Sequence, residues 1–465
     1  MVSAAQVLPP SHREAYQLAV DARDRRFDGV FFVAITTTRV YCRPICPSRL
    51  AYDRHRRFFD SAAAAERAGF RPCLRCRPEL APGAARAALS AVSQLAQAAT
   101  QRIAAGALND RSVADLAGEL GVSERHLRRA LEREIGVSPL GLAQTHRLLL
   151  AKRLLVDTDL SVTRVAYASG FQSLRRFNAS FREQYGMPPS ALRRKTIEPA
   201  RSSAPLRLTL AYRPPLAWRA LLDSLRAVAT PGVEVFHGSR YGRTVRIEGH
   251  TGVIFAEDVP GRHHIAMEIA PSLLPVLMPL IAGLRRLFDL DAEPAVVDAH
   301  LANEGLAAEV AETPGVRLPG ALDGLEVAIQ ILLRGQGGLG DPIDTGVPEL
   351  THLPPRANQV TGTRVPKRCA ETVAKLARAV ASWELRLEPG SDVAATRRAL
   401  LELGGVGERL ATLIVMRALY WPDAFYTQDR ALLARAEAWR PWRAYAALHL
   451  VARRGSAALD PRQGG

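Results

Sequence analysis

The sequence is poor in lysine, in cysteine and in long apolar stretches. Only four of its 62 basic residues are lysines, so 58 are arginines, and its 465 residues include five cysteines. A run of about 18 or more apolar residues does not occur, so we expect no membrane-spanning helix. Residues 1–12 have neither a basic start nor an apolar stretch, and we expect no signal peptide. These absences predict a cytoplasmic protein.

Composition and charge indicate several folded domains. The hydrophobic fraction of 48% and the charged fraction of 23% are ordinary for globular protein. At roughly 100–200 residues per domain, the length predicts three or four domains. Residues 1–200 hold 31 Lys+Arg against 18 Asp+Glu, a balance of +13, whereas the remainder holds 31 against 28, a balance of +3. This asymmetry favours a nucleic-acid surface in the first 200 residues; a generally arginine-rich proteome is the alternative.

Four of the five cysteines form two closely spaced pairs. Cys42 and Cys46 form a C-x3-C pair, and 26 residues later Cys73 and Cys76 form a C-x2-C pair. Two short loops that each offer two thiolates suit the tetrahedral coordination of zinc. The spacing therefore predicts one Zn²⁺ bound by four cysteines, and by spacing alone a purely structural zinc is favoured. Cys369 stands alone and is expected to be an ordinary thiol.

The residues around these cysteines resemble the N-terminal zinc domain of the Ada family of alkylation-response proteins. The resemblance covers about residues 10–80 and is carried by YCRPIC at 41–46 and GFRPCLRC at 69–76. It implies that Cys42 accepts the methyl group of a methyl phosphotriester in DNA, with a thiolate as the nucleophile. Methylation would lower the negative charge of the site and so act as an electrostatic switch. The arginines expected to hold backbone phosphates are Arg43, Arg49, Arg71, Arg75 and Arg77.

Residues 112–194 contain an internal repeat of about 50 residues. Each copy, SVADLAGELGVSERHLRRALEREIGVSP and SVTRVAYASGFQSLRRFNASFREQYGMPP, predicts a short apolar helix, a glycine turn, a serine cap and a longer helix. A helix over His146–Leu155 is expected to link the two copies. The predicted core residues are Leu116, Leu120, Leu127 and Leu131, then Val165, Leu174, Phe177 and Phe181. The polar residues predicted on the exposed faces are Arg125, His126, Arg128 and Arg129, then Gln172, Ser173, Arg175, Arg176 and Asn178.

This repeat resembles the AraC-type tandem helix-turn-helix domain over its whole length. The resemblance implies two recognition helices that enter successive major grooves of promoter DNA. A helix bundle with a solvated charged face is the alternative. A Pro-Cys-His-Arg methyltransferase motif is absent and Cys369 does not match it, so we expect no base-methyltransferase half. We expect a monomer that associates with the nucleoid and with RNA polymerase.

A polar segment at 195–206 separates this region from alternating strands and helices. The predicted strands are Leu206–Tyr212, Val233–Phe236, Thr244–Gly249, Val253–Ala256 and His264–Ile269, and the predicted helices are Trp218–Ala227 and Leu273–Phe288. They indicate a small α+β domain with an antiparallel sheet. Tyr212-Arg-Pro-Pro215 and Arg285–Leu290 resemble the N-terminal domain of AlkA-type DNA glycosylases.

The last 150 residues predict a helical region with a glycine-rich hairpin. The predicted helices are Gly324–Arg334, Ala370–Trp383, Asp392–Leu403 and Arg409–Leu419, and the hairpin is Leu403-Gly-Gly-Val-Gly407. With Asp429 and the segment from Trp439 to His449, this region resembles the AlkA branch of the helix-hairpin-helix glycosylases. The resemblance implies that Asp429 is the catalytic aspartate, and that Gly405 and Gly407 approach a DNA phosphate. It also implies that Gln336 and Trp442 line the pocket for a flipped base.

Two hypotheses about this region stay open. In the first, it excises alkylated bases of the 3-methyladenine type, and Arg409, at the position of a lyase lysine, makes it a monofunctional hydrolase because arginine cannot form a Schiff base. In the second, the chain is an alkylation-responsive regulator with a non-catalytic glycosylase-like domain, because Gly404 replaces the family's usual proline and the segment after Asp429 is short.

The sequence as a whole predicts a multidomain α+β protein. The predicted domains are a four-cysteine zinc domain (1–84), an all-α tandem helix-turn-helix domain (85–202), an α+β AlkA N-terminal-like domain (203–312) and an all-α helix-hairpin-helix glycosylase domain (313–465).

Overall fold

A computed structural model describes residues 10–83, 94–193, 204–333, 345–356 and 365–454. The chain divides into two compact units, Met1–Arg213 with Leu274–Ala282, and Pro214–Leu273 with Gly283–Gly465. Among the residues described, no helix has the length and the apolar character that crossing a membrane requires.

A small sheet near the N-terminus of the first unit carries both cysteine pairs. Its strands, in the order β3-β1-β2-β4, are β1 (Phe32–Ile35), β2 (Val40–Cys42), β3 (Arg56–Phe59) and β4 (Arg71–Pro72). The strand β1 pairs antiparallel with β2 and β3, whereas β2 and β4 are parallel. Because side chains alternate across a sheet, Phe32 and Ala34 face one apolar core and Val33 faces a second core that contains the four cysteines. Two helices belong to this part, α1 (Pro10–Asp21) and α2 (Ala62–Arg67).

Two helix-turn-helix motifs make up most of the remainder of the first compact unit. Their helices are α3 (Gln94–Ala104), α4 (Val113–Glu119), α5 (Glu124–Glu134), α6 (Pro139–Asp157), α7 (Val162–Ala168), α8 (Leu174–Tyr185) and α9 (Pro189–Leu192). The predicted pattern is confirmed in both copies: Gly121 and Gly170 turn the chain at positive φ, and Ser123 and Ser173 cap the second helices. Strand β5 (Leu206–Ala211) also belongs to this unit.

The helix between the two copies is longer than predicted. The sequence predicts His146–Leu155, whereas α6 runs from Pro139 to Asp157. Its start is fixed by Ser138, whose hydroxyl accepts a hydrogen bond from the Gly141 amide at 3.2 Å, and by Pro139 at the first helical position. Most of α6 is buried, so it is a central helix of the unit rather than a surface linker.

The second unit begins with antiparallel strands and continues as helices. Strands β6 (Glu234–His237), β7 (Arg240–Ile247), β8 (His250–Val259) and β9 (His264–Ile269) pair in succession, which confirms the predicted antiparallel sheet. The helices before the predicted glycosylase-like region are α10 (Trp218–Arg226), α11 (Leu277–Leu287), α12 (Pro294–Leu301) and α13 (Ala307–Glu312). Of α11, residues 283–287 belong to this second unit.

Six further helices form the rest of the described chain. They are α14 (Gly324–Leu333), α15 (Lys367–Ala381), α16 (Val393–Glu402), α17 (Glu408–Ala418), α18 (Arg430–Ala436) and α19 (Arg443–Arg454). The helices α14, α15, α16 and α17 share one apolar core, and residues around Trp439 form a second. The predicted helices over 370–383, 392–403 and 409–419 are confirmed within three residues at each end.

Candidate metal centre and nucleic-acid interfaces

The parallel pairing of β2 and β4 brings the two cysteine pairs together. Cys42 is the last residue of β2 and Cys73 directly follows β4, so both lie at the same edge of the sheet. The Cys73 amide donates to the Tyr41 carbonyl at 2.9 Å, and the Cys46 amide donates to the Arg43 carbonyl at 3.1 Å to close the first turn. Residues far apart in sequence are thereby held as neighbours.

The four sulfur atoms form a compact donor set. The Sγ atoms of Cys42, Cys46, Cys73 and Cys76 all lie within 4.8 Å of one another, and each cysteine is at most 9% exposed. A zinc ion with bonds of about 2.3 Å to four sulfurs separates them by about 3.8 Å. The arrangement therefore fits one tetrahedral Zn²⁺.

The chemistry of the four thiols also fits a cation. The Cys42 thiol is the main cause of the lowered pKa of Cys46 and Cys73, the latter to about 6, whereas hydrogen bonds with its neighbours raise the pKa of Cys42. Four thiolates this close and this buried need a positive partner to be ionised together. Backbone amides assist: those of Arg43 and Arg75 donate to the Sγ atoms of Cys76 and Cys73, each at 3.3 Å.

The structure does not place Arg43 on the surface that the sequence analysis expects for it. Its guanidinium is buried and forms an ion pair with Asp28, donating to Oδ1 at 2.8 Å, and it donates to the Cys76 carbonyl at 3.3 Å. The physical reason is Asp28, a buried carboxylate that requires a cation. Arg43 therefore braces the second cysteine loop.

The other arginines of this region differ in exposure. Arg49 and Arg75 are exposed beside the cysteine loops, and Arg71 is half-buried. Arg77 is bound to acidic groups, donating to Glu79 at 3.0 Å and to both carboxylate oxygens of Asp157 at 2.7 and 2.8 Å. Of the predicted phosphate-binding arginines, Arg49, Arg71 and Arg75 are therefore the ones available to a DNA backbone.

A buried lysine that is not among the predicted site residues lies beside the centre. Lys152, on α6, is 1% exposed, and its Nζ lies 2.5 Å from Glu79 Oε2 and 3.0 Å from the Cys73 carbonyl oxygen. A signal was present, because Lys152 is one of only four lysines and stands within an apolar helix.

The second helices of both helix-turn-helix units present exposed polar side chains. On α5, Leu127 and Leu131 are buried, and on α8, Phe177 and Phe181 are buried, as predicted. The exposed residues of the predicted set are Arg125, His126, Arg129, Gln172, Arg175 and Arg176, and the half-buried ones are Arg128, Ser173 and Asn178. Arg128 is paired with Glu124 at 2.5 Å, and Ser173 serves as the α8 cap.

The glycine-rich hairpin lies between α16 and α17. Gly404 and Gly405 have φ of +71° and +82°, and Gly407 is the N-cap of α17, so its backbone opens the helix. Thr372 on α15 donates from Oγ1 to the Gly404 carbonyl at 3.1 Å. A proline, with φ near −65°, cannot adopt the conformation of Gly404. The hairpin is exposed at its glycines, whereas Val406 between them is buried.

Asp429 stands at the N-terminus of α18. Its Oδ1 accepts hydrogen bonds from the amides of Ala431 at 2.8 Å and Leu432 at 3.2 Å, and the residue is exposed. Within the described residues no hydrogen bond to its Oδ2 is found.

Of the two predicted base-pocket residues, Trp442 lies within the described chain. Trp442 is half-buried against the core around Trp439, with its ring 5.0 Å from that of His300. Gln336 lies outside the described residues, as does the whole Arg334–Gly337 segment. Arg409 is the second residue of α17 and is half-buried.

Three segments match known protein families. Residues 15–79 match the metal binding domain of Ada, residues 116–195 match a helix-turn-helix domain, and residues 207–323 match the AlkA N-terminal domain. The first match, together with the four clustered cysteines, identifies a site for one Zn²⁺.

Known proteins are similar either to nearly the whole chain or to one part of it. It is 36% identical to a probable bifunctional transcriptional activator/DNA repair enzyme AlkA of Mycobacterium tuberculosis, over 93% of this chain and 94% of that protein. Over 52% of this chain and 95% of the relative, it is 28% identical to DNA-3-methyladenine glycosylase 2 of Escherichia coli. Over 38% of this chain and 47% of the relative, it is 30% identical to the bifunctional transcriptional activator/DNA repair enzyme Ada of Escherichia coli.

Proposed function

Because this chain belongs to the AlkA family of bifunctional transcriptional activator/DNA repair enzymes, we propose that it has two repair activities and one regulatory activity on alkylated DNA. Cys42 accepts a methyl group from a DNA methyl phosphotriester, the two helix-turn-helix units bind promoter DNA, and the C-terminal part excises alkylated bases. The observation that carries the first activity is the buried cluster of four sulfur atoms within 4.8 Å.

The methyl transfer is a simple displacement. The thiolate sulfur of Cys42 attacks the methyl carbon, the S–C bond forms, and the C–O bond to the phosphate breaks, so a neutral triester becomes an anionic diester. Bound Zn²⁺ keeps the cysteines deprotonated at neutral pH. The exposed Arg49 and Arg75 flank the cysteine loops and hold the DNA backbone there. The product is a thioether, so each chain reacts once.

Peptide mass spectrometry tests this step. After incubation with a duplex that carries one methyl phosphotriester, we expect one added methyl group on the peptide that contains Cys42. A Cys369→Ser variant is the matched control, because Cys369 lies on α15 outside the cluster, and it should react like the wild type. An unmodified Cys42 in zinc-loaded wild type would reduce the centre to a structural role.

Base excision rests on Asp429. An alkylated purine already carries positive charge, so it leaves with little acid assistance. The Oδ2 atom of Asp429 then stabilises the positive charge that develops on the sugar and orients the attacking water, while Oδ1 remains bound to the α18 amides. Arg409 is permanently charged and forms no Schiff base, so we propose hydrolysis without strand cleavage.

Release of 3-methyladenine from methylated DNA tests this step. We expect Asp429→Asn to abolish release and Asp392→Asn to preserve it. Asp392 is the matched control because it also caps a helix, accepting a hydrogen bond from the Ala395 amide at 2.8 Å, and asparagine caps as well as aspartate. If the wild type releases no base, the C-terminal part is a non-catalytic module of a regulator.

We also propose that a single chain binds one promoter site and contacts RNA polymerase there. Because α5 and α8 supply two recognition helices within one chain, a dimer is not needed to span two major grooves. Light scattering should give one chain per duplex, and two chains per duplex would contradict this.

A further inference from the structure

The segment that follows Cys76 contacts α6, the central helix of the helix-turn-helix region. Arg77 and Glu79 lie one and three residues beyond Cys76. The Glu79 carboxylate contacts the ammonium group of Lys152 at 2.5 Å, and Arg77 makes two hydrogen bonds to Asp157. Lys152 and Asp157 are both on α6. We call these four residues the cysteine–α6 clamp.

The clamp is built from buried and partly buried charges of opposite sign. The side chains of Lys152 and Glu79 are each 1% exposed, and those of Arg77 and Asp157 are about one fifth exposed. Arg77 links the two pairs because it also contacts Glu79 at 3.0 Å, and Arg153 of α6 lies 4.0 Å from Asp157 as a further cation. Charges in such surroundings are poorly screened, so their interactions depend strongly on nearby charge.

The clamp touches the cysteine centre itself. Lys152 donates to the carbonyl oxygen of Cys73 at 3.0 Å, and Arg77 is the residue next to Cys76, with a left-handed φ of +55°. Such a conformation in a non-glycine residue persists only where its surroundings impose it. The cysteine centre is therefore connected to Lys152 through the Cys73 carbonyl and to Glu79 through the three residues that follow Cys76.

The clamp also contacts α6, the helix that connects the two helix-turn-helix units. The helix α6 follows α5 and precedes α7 and α8, and its Leu149 packs into the same core as Phe32 and Tyr41 of the sheet. The position of α6 consequently affects the placement of both recognition helices relative to the cysteine centre.

We propose that the cysteine–α6 clamp is the part of the fold that transmits the charge of the cysteine centre to α6, and through α6 to the two helix-turn-helix units; this rests on the proposed methyl acceptance and on the charge switch expected from the sequence. Methylation removes one negative charge from the centre. It weakens the attraction on Lys152 and the repulsion of Glu79, so the two states of the centre favour different arrangements of the clamp. A difference of this kind is what coupling between two sites requires.

The test compares the gain in DNA affinity on methylation in full-length, zinc-loaded variants. The probe is a duplex selected from a random library on the methylated wild type, and affinity is measured by fluorescence anisotropy before and after reaction with a methyl phosphotriester duplex. We expect a gain of about tenfold or more for the wild type. For Lys152→Met combined with Glu79→Gln, which removes both buried charges together, we expect a gain below about threefold.

A milder variant and a matched control guard against misfolding. Asp157→Asn breaks the Arg77 contact at a partly exposed position and should also reduce the gain. Asp223→Asn makes the same substitution in a more exposed Arg226–Asp223 pair at 2.6 Å in the second unit, and it should keep the full gain. Melting temperature and zinc content establish that each variant is folded and loaded.

Three results would overturn the proposal, and mass spectrometry separates them. If Cys42 is methylated and both clamp variants keep the wild-type gain, the readout bypasses the clamp and methyl acceptance stands. If Cys42 is methylated in the wild type without any gain in DNA affinity, methylation and DNA binding are not coupled and the clamp has nothing to transmit. If Cys42 is never methylated, the proposed function of the centre fails and the clamp proposal fails with it.

Discussion

The hydroxyl group of Thr372 connects α15 to the hairpin, because its one proton is shared between the carbonyl oxygen of Gly404 at 3.1 Å and that of Arg368 at 3.0 Å. The same hydroxyl would lie 2.4 Å from a Cβ atom at Gly405, so the hairpin fits against Thr372 only because residue 405 is glycine. One side chain on α15 thus fixes two consecutive left-handed residues just before α17. The amides that would face a DNA phosphate depend on this contact.

We expect Thr372→Val to weaken binding to duplex DNA by about fivefold, the effect of losing a hydrogen bond of about 1 kcal/mol. Thr372→Ser keeps the hydroxyl and should bind within twofold of the wild type. Because the hairpin contributes to binding and not to the chemical step, the single-turnover rate at saturating enzyme should be unchanged. Equal binding by the valine and serine variants would show that the hydroxyl does not position the hairpin.

Removal of zinc should destabilise the first unit alone. Without a cation, four buried thiols must give up either their charge or their proximity. All five tryptophans, at positions 218, 383, 421, 439 and 442, lie in the second unit. A chelator should therefore lower the melting transition seen by circular dichroism and leave the transition seen by tryptophan fluorescence in place. A fluorescence transition that moves equally would contradict this prediction.

Asp28→Asn should strongly destabilise the cysteine region. The substitution leaves the buried guanidinium of Arg43 without its carboxylate, and breaking a buried ion pair costs about 3–5 kcal/mol. Denaturant unfolding of the zinc-loaded protein measures the loss, and zinc should also transfer faster to a chelator. The control is Asp24→Asn, whose partner Arg26 is largely exposed, and it should change stability little. Similar behaviour of the two variants would mean that the buried pair is not needed.

Glu66 should make the stability of the first unit depend on pH. Burial raises the pKa of Glu66 to about 7, although Thr145 and Tyr41 donate hydrogen bonds to its carboxylate at 2.7 and 3.0 Å. A raised pKa in the folded state favours folding below the unfolded value of 4.5, and that advantage is lost as pH rises through 7.

The matching variant is Glu66→Gln, which cannot ionise. Its free energy of unfolding relative to the wild type should rise between pH 4.5 and 8, by at most about 3 kcal/mol. Denaturant titrations at several pH values measure this difference. A difference that is flat across that range would show that Glu66 titrates as it does in the unfolded chain.

Local signals in the sequence account for the parts of the fold that were predicted correctly. Gly121 with Ser123, and Gly170 with Ser173, are short-range signals of a turn and a helix cap, and they define both helix-turn-helix units. The cysteine spacing likewise reveals the metal site without knowledge of the sheet. Such features depend on neighbours within a few residues, which a sequence displays directly.

Charged residues with distant partners could not be placed from the sequence. Arg43 finds Asp28 15 residues earlier, and Lys152 finds Glu79 73 residues earlier, so neither burial is visible in a local pattern. The start of α6 differs for another reason: the predicted helix begins at His146, whereas Ser138 and Pro139, a local signal of a helix start, begin it at Pro139. The conformation of Gly404 depends on Thr372, 32 residues away.

The burial of α6 also limits how such a gene can be assembled. A DNA-reading region cut from this chain at the 84–93 segment would carry Leu149 and Lys152 without the surfaces that cover them. An apolar side chain and an unpaired lysine would then face water on the helix that joins its two halves. Recombination that exchanges only the cysteine region or only the helix-turn-helix region must therefore change α6 in the same step. The two regions are accordingly expected to be inherited together.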